Sequence, residues 1–417
     1  MKNAFALRFA AVSLFFALAA AVPARAQTIT EFPIPIPGSS PFDIAAGPDG
    51  NLWFVLAGSD QIGRITTAGV VTLFPVTAGS FPRGIAPGPD GNVWFTEVSG
   101  SRIGRITPAG VVTEFPLPAP RGPALIAPGP DGNLWFAEQV GMIGRITTAG
   151  IIMEFPIPTT AGQPYGITAG PDGNLWFTEG AGNKIGRITT AGAVTEFTVP
   201  TAGSNPQGIT AGPDGNLWFV EANVAKAANI TTAGVITEFP LVAGRIPRDI
   251  ATGSDGNLWI TESTFTGHIA RLTTAGVVTE FLVPSTPAFA EGITAGPDGN
   301  LWFTEVNSNK IGLITTGVAP VSPTITATPT PTLTATVTSG VPPTPGTPTA
   351  TATATASPTV TPTATATTTV AAPTPTVTSG GPAGGAPTSR IPTLSYSGLA
   401  LLGAALALTA LALMRRS

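Results

Sequence analysis

Seven tryptophans, at positions 53, 94, 135, 176, 218, 259 and 302, are all that this chain of 417 residues contains, and each sits in a copy of Gly-Pro-Asp-Gly-Asn-Leu-Trp-Phe or a close variant. Their spacings are 41, 41, 41, 42, 41 and 43 residues. A period near 40 marks a repeat architecture, and any fold proposed for the chain must reproduce it seven times.

One unit, residues 166 to 200, reads as four short β-type runs separated by turn residues, with no helical period. Asp172-Gly173 and Ala191-Gly192 supply the positive φ that tight hairpins need. Leu175-Trp176-Phe177 is apolar without alternation, as suits a strand packed on both faces. Four antiparallel strands per repeat is a propeller blade, so the expected fold is all-β, a seven-bladed β-propeller of four-stranded blades. Six of the seven tryptophan motifs are followed by a Phe-centred outer strand, at Phe74, Phe115, Phe155, Phe197, Phe239 and Phe281; the last is not. The missing copy stands at the front as Ile29-Thr30-Glu31-Phe32-Pro33, so the N-terminal strand is expected to complete the seventh blade and leave no open edge.

The flanks divide the chain further. Residues 1–26 carry Lys2 and Arg8, an apolar stretch from Phe9 to Val22, and Ala24-Arg25-Ala26 in the form of a signal-peptidase site. The propeller occupies 27–317. Residues 318–388 are a disordered Thr/Pro/Ala-rich stalk that, at roughly 3.1 Å per residue, spans on the order of 200 Å when extended. Residues 389–417 end in an apolar transmembrane helix, Leu394 to Met414, followed by Arg415-Arg416 as a cytoplasmic stop. With Ile391-Pro392-Thr393-Leu394-Ser395 before it, this tail resembles the IPTL-CTERM class of bacterial sorting signals, which implies a sorting protease as partner. The expected location is the inner membrane facing the periplasm, with sorting outward to the surface once the tail is cut. There is no cysteine, hence no disulfide. A net charge of −4 without clustered basic residues argues against nucleic acid.

Function is sought where blades differ. Two positions are expected on the upper face: the residue x of the Pro-x-Gly-Ile entry and the Glu after Trp-Phe-Thr. The Glu recurs as Glu97, Glu138, Glu179, Glu221, Glu262 and Glu305, with Leu56 in the first blade. Such a ring either attracts a cation or pairs locally with Arg, Lys or backbone amides, the latter being the simpler reading. The entry position reads Phe42, Arg83, Ala124, Tyr165, Gln207, Arg248 and Glu291, a mixed set that suits a ligand site at a channel mouth as well as a solvated rim free to vary.

The units Gly-Ile-Thr-Ala-Gly-Pro-Asp-Gly-Asn-Leu-Trp-Phe-Thr-Glu and Lys-Ile-Gly-Arg-Ile-Thr-Thr resemble those of the virginiamycin B lyase (streptogramin lyase) family over residues 28–316. The resemblance implies a carbon–oxygen lyase that opens a cyclic depsipeptide, with histidines at the entry position of the last two blades, a Glu fourteen residues on, and Mg²⁺. Here those entry positions hold Arg248 and Glu291, while the downstream Glu262 and Glu305 remain. An arginine cannot take a proton near neutral pH. The sole histidine, His268, opens a third strand and reads as a surface residue. Two expectations follow: a monomeric binding propeller for a peptide, glycan or small ligand at Phe42, Arg83, Tyr165, Gln207 and Arg248, or a lyase with Glu291 as base and with Glu305, beside Glu262, on the metal.

Overall fold

The computed structural model describes residues 27–317; the signal sequence, stalk and tail expected from the sequence lie outside the described residues. Within them, 28 strands form seven separate four-stranded antiparallel sheets. Six sheets take four consecutive strands, as in Pro41–Ala46, Leu52–Leu56, Gln61–Ile65 and Val71–Pro75 of the first blade. The seventh joins Ala290–Ala295, Leu301–Glu305 and Lys310–Ile314 to Ile29–Pro33, so the ring closes as the motif count requires.

The first strands line the axis and run downward to the Pro-Asp-Gly-Asn turn, where Gly50 takes φ 76° and Gly173 φ 75°. The second strands return upward, buried along their whole length in every blade. Their side chains alternate between the two neighbouring blades. Trp53 packs with Ile85 and Phe95 of the next blade, and Phe54 packs with Trp302 and Ile311 of the one before. The apolar core is therefore the set of seven blade-to-blade contacts.

Each tryptophan is held in two directions and, in five of the seven blades, in a third. Its Nε1 donates to the turn aspartate, at 2.9 Å for Trp53 and Asp49; its ring stacks on the outer-strand Phe, at 5.5 Å for Phe74; and an arginine lies across both rings, Arg64 at 5.5 and 5.6 Å. Arg64 also donates to the carbonyl of Pro108 in the next blade, at 2.9 Å. The repeated arginine is thus a scaffold element, replaced by Asn229 and Leu313 in two blades. Glycine in the third strand makes room for the Phe: a Cβ on Gly186 would stand 2.0 Å from the Phe177 ring.

One irregularity positions the mouth. In all seven blades the pairing of first and second strands slips just after the first residue of the first strand, a proline in six blades and Ala290 in the seventh, as between Pro247 and Ile250. Such a bulge leaves two residues outside the ladder and re-aims their side chains. The two are the entry residue and the one after it.

Candidate functional site at the channel mouth

The bulge turns Phe42, Tyr165, Arg248 and Glu291 onto a central cavity that they line with Asp43, Leu125, Asp249 and Gly292. The space is narrow, and only about 10 Å³ of it admits the centre of a water molecule. The guanidinium of Arg83 is held between two rings, 4.8 Å from the centre of Phe42 and 5.0 Å from that of Tyr165. Arg248 Nε lies 3.6 Å from Glu291 Oε1, which also accepts from Ser263 Oγ at 2.9 Å. Burial raises the pKa of Glu291, with Arg248 and Ser263 opposing it, and pushes the Tyr165 hydroxyl up to about 12. Of the expected ligand residues, Phe42, Arg83, Tyr165 and Arg248 come together here with Glu291. Gln207 does not line the cavity and donates to Asn205 at 2.8 Å.

The sequence reading passed over Asp43 and Asp249, one position beyond the entry residue, where four blades have Gly and one has Leu125. Each aspartate bridges two blades. Asp43 accepts from the Ile44 and Ile85 amides at 2.8 and 2.9 Å, and Asp249 from those of Ile250 and Ile293 at 2.9 and 3.0 Å. Burial raises both pKa values, and the charge of Asp249 adds to the effect on Asp43. The signal available in sequence was that three blades lack the glycine and two of them carry aspartate in its place.

The six rim glutamates are elsewhere. Each is opposite the residue before the entry position in the ladder, a proline in five blades and Ala290 in the seventh, and is fully buried. Each faces a cation and a second glutamate on its blade's outer strand. Glu97 lies 3.1 Å from Arg102, which reaches Glu114 at 3.2 Å. Lys184, Lys226 and Lys310 approach the outer Glu196, Glu238 and Glu31 at 2.6 Å. Where the third strand opens with Met142 or His268, an arginine from the loop before the blade takes over. Arg121 lies 3.9 Å from Glu138, and Arg245 3.5 Å from Glu262. In the first blade all three members change together, to Leu56, Gln61 and Leu73. A carboxylate lost with its cation and its neighbour is the pattern of a structural triad.

Burial, and then repulsion from the outer glutamate, pushes Glu97 and Glu221 up to about 7 and Glu138 and Glu179 to about 8. Burial lifts Glu305 to about 7 against a hydrogen bond from Ser308, and Glu262 is raised in the same way by burial and Glu280. Neither Glu262 nor Glu305 lines the central cavity. The Mg²⁺ implied by the resemblance would need these carboxylates ionised and converging, yet each is turned into its own triad with a cation already beside it. Among the described residues no three His, Asp or Glu side chains are arranged to hold a metal ion. The residues present do not fit that ion.

His268 is half-buried, with Nε2 3.1 Å from Arg245 Nη2. Arginine can only donate, so Nε2 accepts and the ring is neutral. Burial and then the Arg245 charge lower its pKa. It pairs with Glu262 from the third strand, one strand farther from the axis than the second strands.

The virginiamycin B lyase family profile matches residues 21–122 and 167–337. A solved streptogramin B lyase is 36% identical with a TM-score of 0.66, covering 69% of this chain and 97% of that one. The virginiamycin B lyase of Staphylococcus aureus is 37% identical with a TM-score of 0.67, covering 70% and 99%. A catalytically inactive variant of it, solved with quinupristin, matches equally well. The virginiamycin B lyases of Bordetella parapertussis and Bordetella bronchiseptica are 44% identical over 48 residues, 12% of this chain. The chain thus spans 16% of the length of these curated relatives.

Proposed function

The chain belongs to the virginiamycin B lyase family, and from that premise we propose that it is a binding propeller whose mouth takes a peptide, glycan or small ligand without breaking it. The observation that carries this reading is the convergence of Phe42, Tyr165, Arg248 and Glu291 on one cavity, with Arg83 held between the first two and with arginine and glutamate where the resemblance implies histidines. Aromatic faces and guanidinium donors recognise ligands; neither removes a proton. One observation favours carbon–oxygen lyase activity instead, namely that burial raises the pKa of Glu291 toward the range of a general base. Against it, that carboxylate is already engaged by Arg248 and Ser263.

Incubating the full chain with quinupristin and Mg²⁺ separates the two. We expect no ring-opened product by mass spectrometry, and we expect ligand binding, where found, to be lost in Arg83→Ala and Tyr165→Ala. Ring-opened product that disappears in Glu291→Gln would overturn the binding reading.

The same proposal includes export by residues 1–26, anchoring by 389–417 and display on the stalk, with a sorting protease acting at the tail. In fractionated cells the full-length protein should be found with the inner membrane and a shortened form outside it. Recovery of all the protein, uncut, from the cytoplasm would remove this part.

A further inference from the structure

Resting on the binding reading, we propose that the mouth selects a ligand in which a carboxylate stands beside an aromatic ring, the carboxylate on Arg248 and Arg83 and the ring on Phe265, Phe289 and Ile246. The two arginines differ from the others of the ring in how their N–H groups are used. Arg64, Arg105, Arg145 and Arg187 donate to carbonyls of the next blade at 2.9 to 3.1 Å, and Arg245 grips Glu280 at 2.9 and 3.0 Å. The buried Nε of Arg83 and that of Arg248 make no hydrogen bond with the described residues, and although the same holds for Arg102, Arg105 and Arg121, those three donate through Nη to Glu114, the Thr148 carbonyl and Glu154. Arg248 keeps 37% of its side-chain surface exposed, with only the 3.6 Å approach to Glu291. A buried N–H without an acceptor is unfavourable, and an incoming carboxylate would offset that through a charge-assisted hydrogen bond. Asp43 and Asp249 do not compete for these donors, because both oxygens of each are taken by backbone amides.

The apolar half adjoins the charged half through one residue. Ser263 donates its amide to the Ile246 carbonyl at 2.9 Å and its hydroxyl to Glu291, so it ties the patch to the mouth. Phe265 is 60% exposed and Ile246 41%. Phe265 meets Phe289 edge to face at 6.5 Å, and the two segments are joined by the Ala288 amide on the Phe265 carbonyl at 3.2 Å. Phe289 holds φ 53°, a left-handed conformation costly for a bulky side chain. At the equivalent rim position the second blade also carries an exposed phenylalanine, Phe81 at φ 53°, while the others place Ser40, Gly122, Gln163, Asn205 and Ile246; of the two phenylalanines it is Phe289 that meets a second ring. An aromatic residue held there against its conformational preference, half-open to solvent beside a second exposed ring, suits a ligand ring.

The probe pair is N-acetyl-phenylalanine and its amide, titrated separately into the full chain and followed by ligand-observed NMR. We expect the acid to bind at least about tenfold more tightly than the amide. Arg248→Gln should abolish that preference, so that acid and amide bind alike, and Phe265→Ser should weaken both ligands. Circular dichroism melting of each variant confirms that the ring is intact. Equal binding of acid and amide, a preference that survives Arg248→Gln, or no binding of either would overturn the proposal. Equal binding that still disappears in Tyr165→Ala would leave the mouth as a ligand site and remove only its anion selectivity, whereas binding indifferent to Arg83→Ala and Tyr165→Ala would remove the mouth itself.

Discussion

A chain lacking residues 27–36 should be insoluble, or should melt well over about 10 °C below the intact propeller. The segment Ile29–Pro33 pairs with Lys310–Ile314 over five residues, and its removal leaves that strand as a bare edge. It also removes Phe32, stacked on Trp302 at 5.5 Å, and Glu31, which accepts from Lys310 at 2.6 Å and from the Ser285 amide and hydroxyl at 2.8 Å. Ile34 leaves the core between the seventh and first blades, and Asn309 loses the Ile34 and Ile36 carbonyls it caps at 3.1 and 2.8 Å. A single buried aromatic side chain is worth about 3–5 kcal/mol, so the summed loss exceeds what a typical domain has in reserve. Thermal unfolding and soluble yield measure the effect. An unchanged melting curve would mean that the ring does not depend on this strand.

Between about pH 5 and pH 9 the propeller should lose stability, with Tm falling on the order of 10 °C. The ring glutamates have folded-state pKa values of about 7 at Glu97, Glu221 and Glu305 and about 8 at Glu138 and Glu179, against an ordinary 4.5. A carboxyl whose pKa is raised by folding binds more protons folded than unfolded. Its contribution is complete below pH 4.5 and is lost as pH climbs through 7 to 8. At only about 1 kcal/mol per position, less than one pKa unit each, these five positions account for the expected change.

The opposite sign applies to the turn aspartates. Asp49, Asp90, Asp131, Asp172 and Asp214 are held below their usual range by hydrogen bonds from Trp and Asn that outweigh their burial. Their contribution is lost as pH falls below about 4, so stability should peak near pH 5. Replacing Glu138 and Glu179 by Gln should flatten the alkaline limb. A melting temperature constant from pH 5 to 9 would show that the triads are fully ionised in the folded protein.

The architecture was legible because its determinants are local and repeated seven times. Trp spacing counts the blades, Asp-Gly marks the hairpins, and the absence of an outer strand after Trp302 beside the stray copy at Phe32 identifies the closing strand. The mouth was legible in part. Strand order puts the entry residue and the Glu after Trp-Phe-Thr at the same end of the blade, but it does not reveal the bulge that turns the former inward and leaves the latter in the ladder. Alternation then sends Glu262 toward Arg245 and Glu280, while Arg248 faces the cavity. Asp43 and Asp249 were hidden for the same reason, since in a regular strand the residue after x would point away from x's neighbours. The triads needed one further step, comparing three columns of the repeat at once. Only the first blade, with Leu56, Gln61 and Leu73, shows that they change as a set.

The two ends of the ring emerge side by side, with Thr28 and Thr315 joined by hydrogen bonds of 3.0 and 3.1 Å at the foot of the seventh blade, on the face opposite the mouth. The strand that leads to residue 317, Lys310–Ile314, is clasped by Leu301–Glu305 on one side and Ile29–Pro33 on the other. A pull applied beyond residue 317 therefore acts along an interior strand. It must shear two hydrogen-bonded ladders together instead of peeling one from an edge, so the ring bears mechanical load best at the point where a tether would attach.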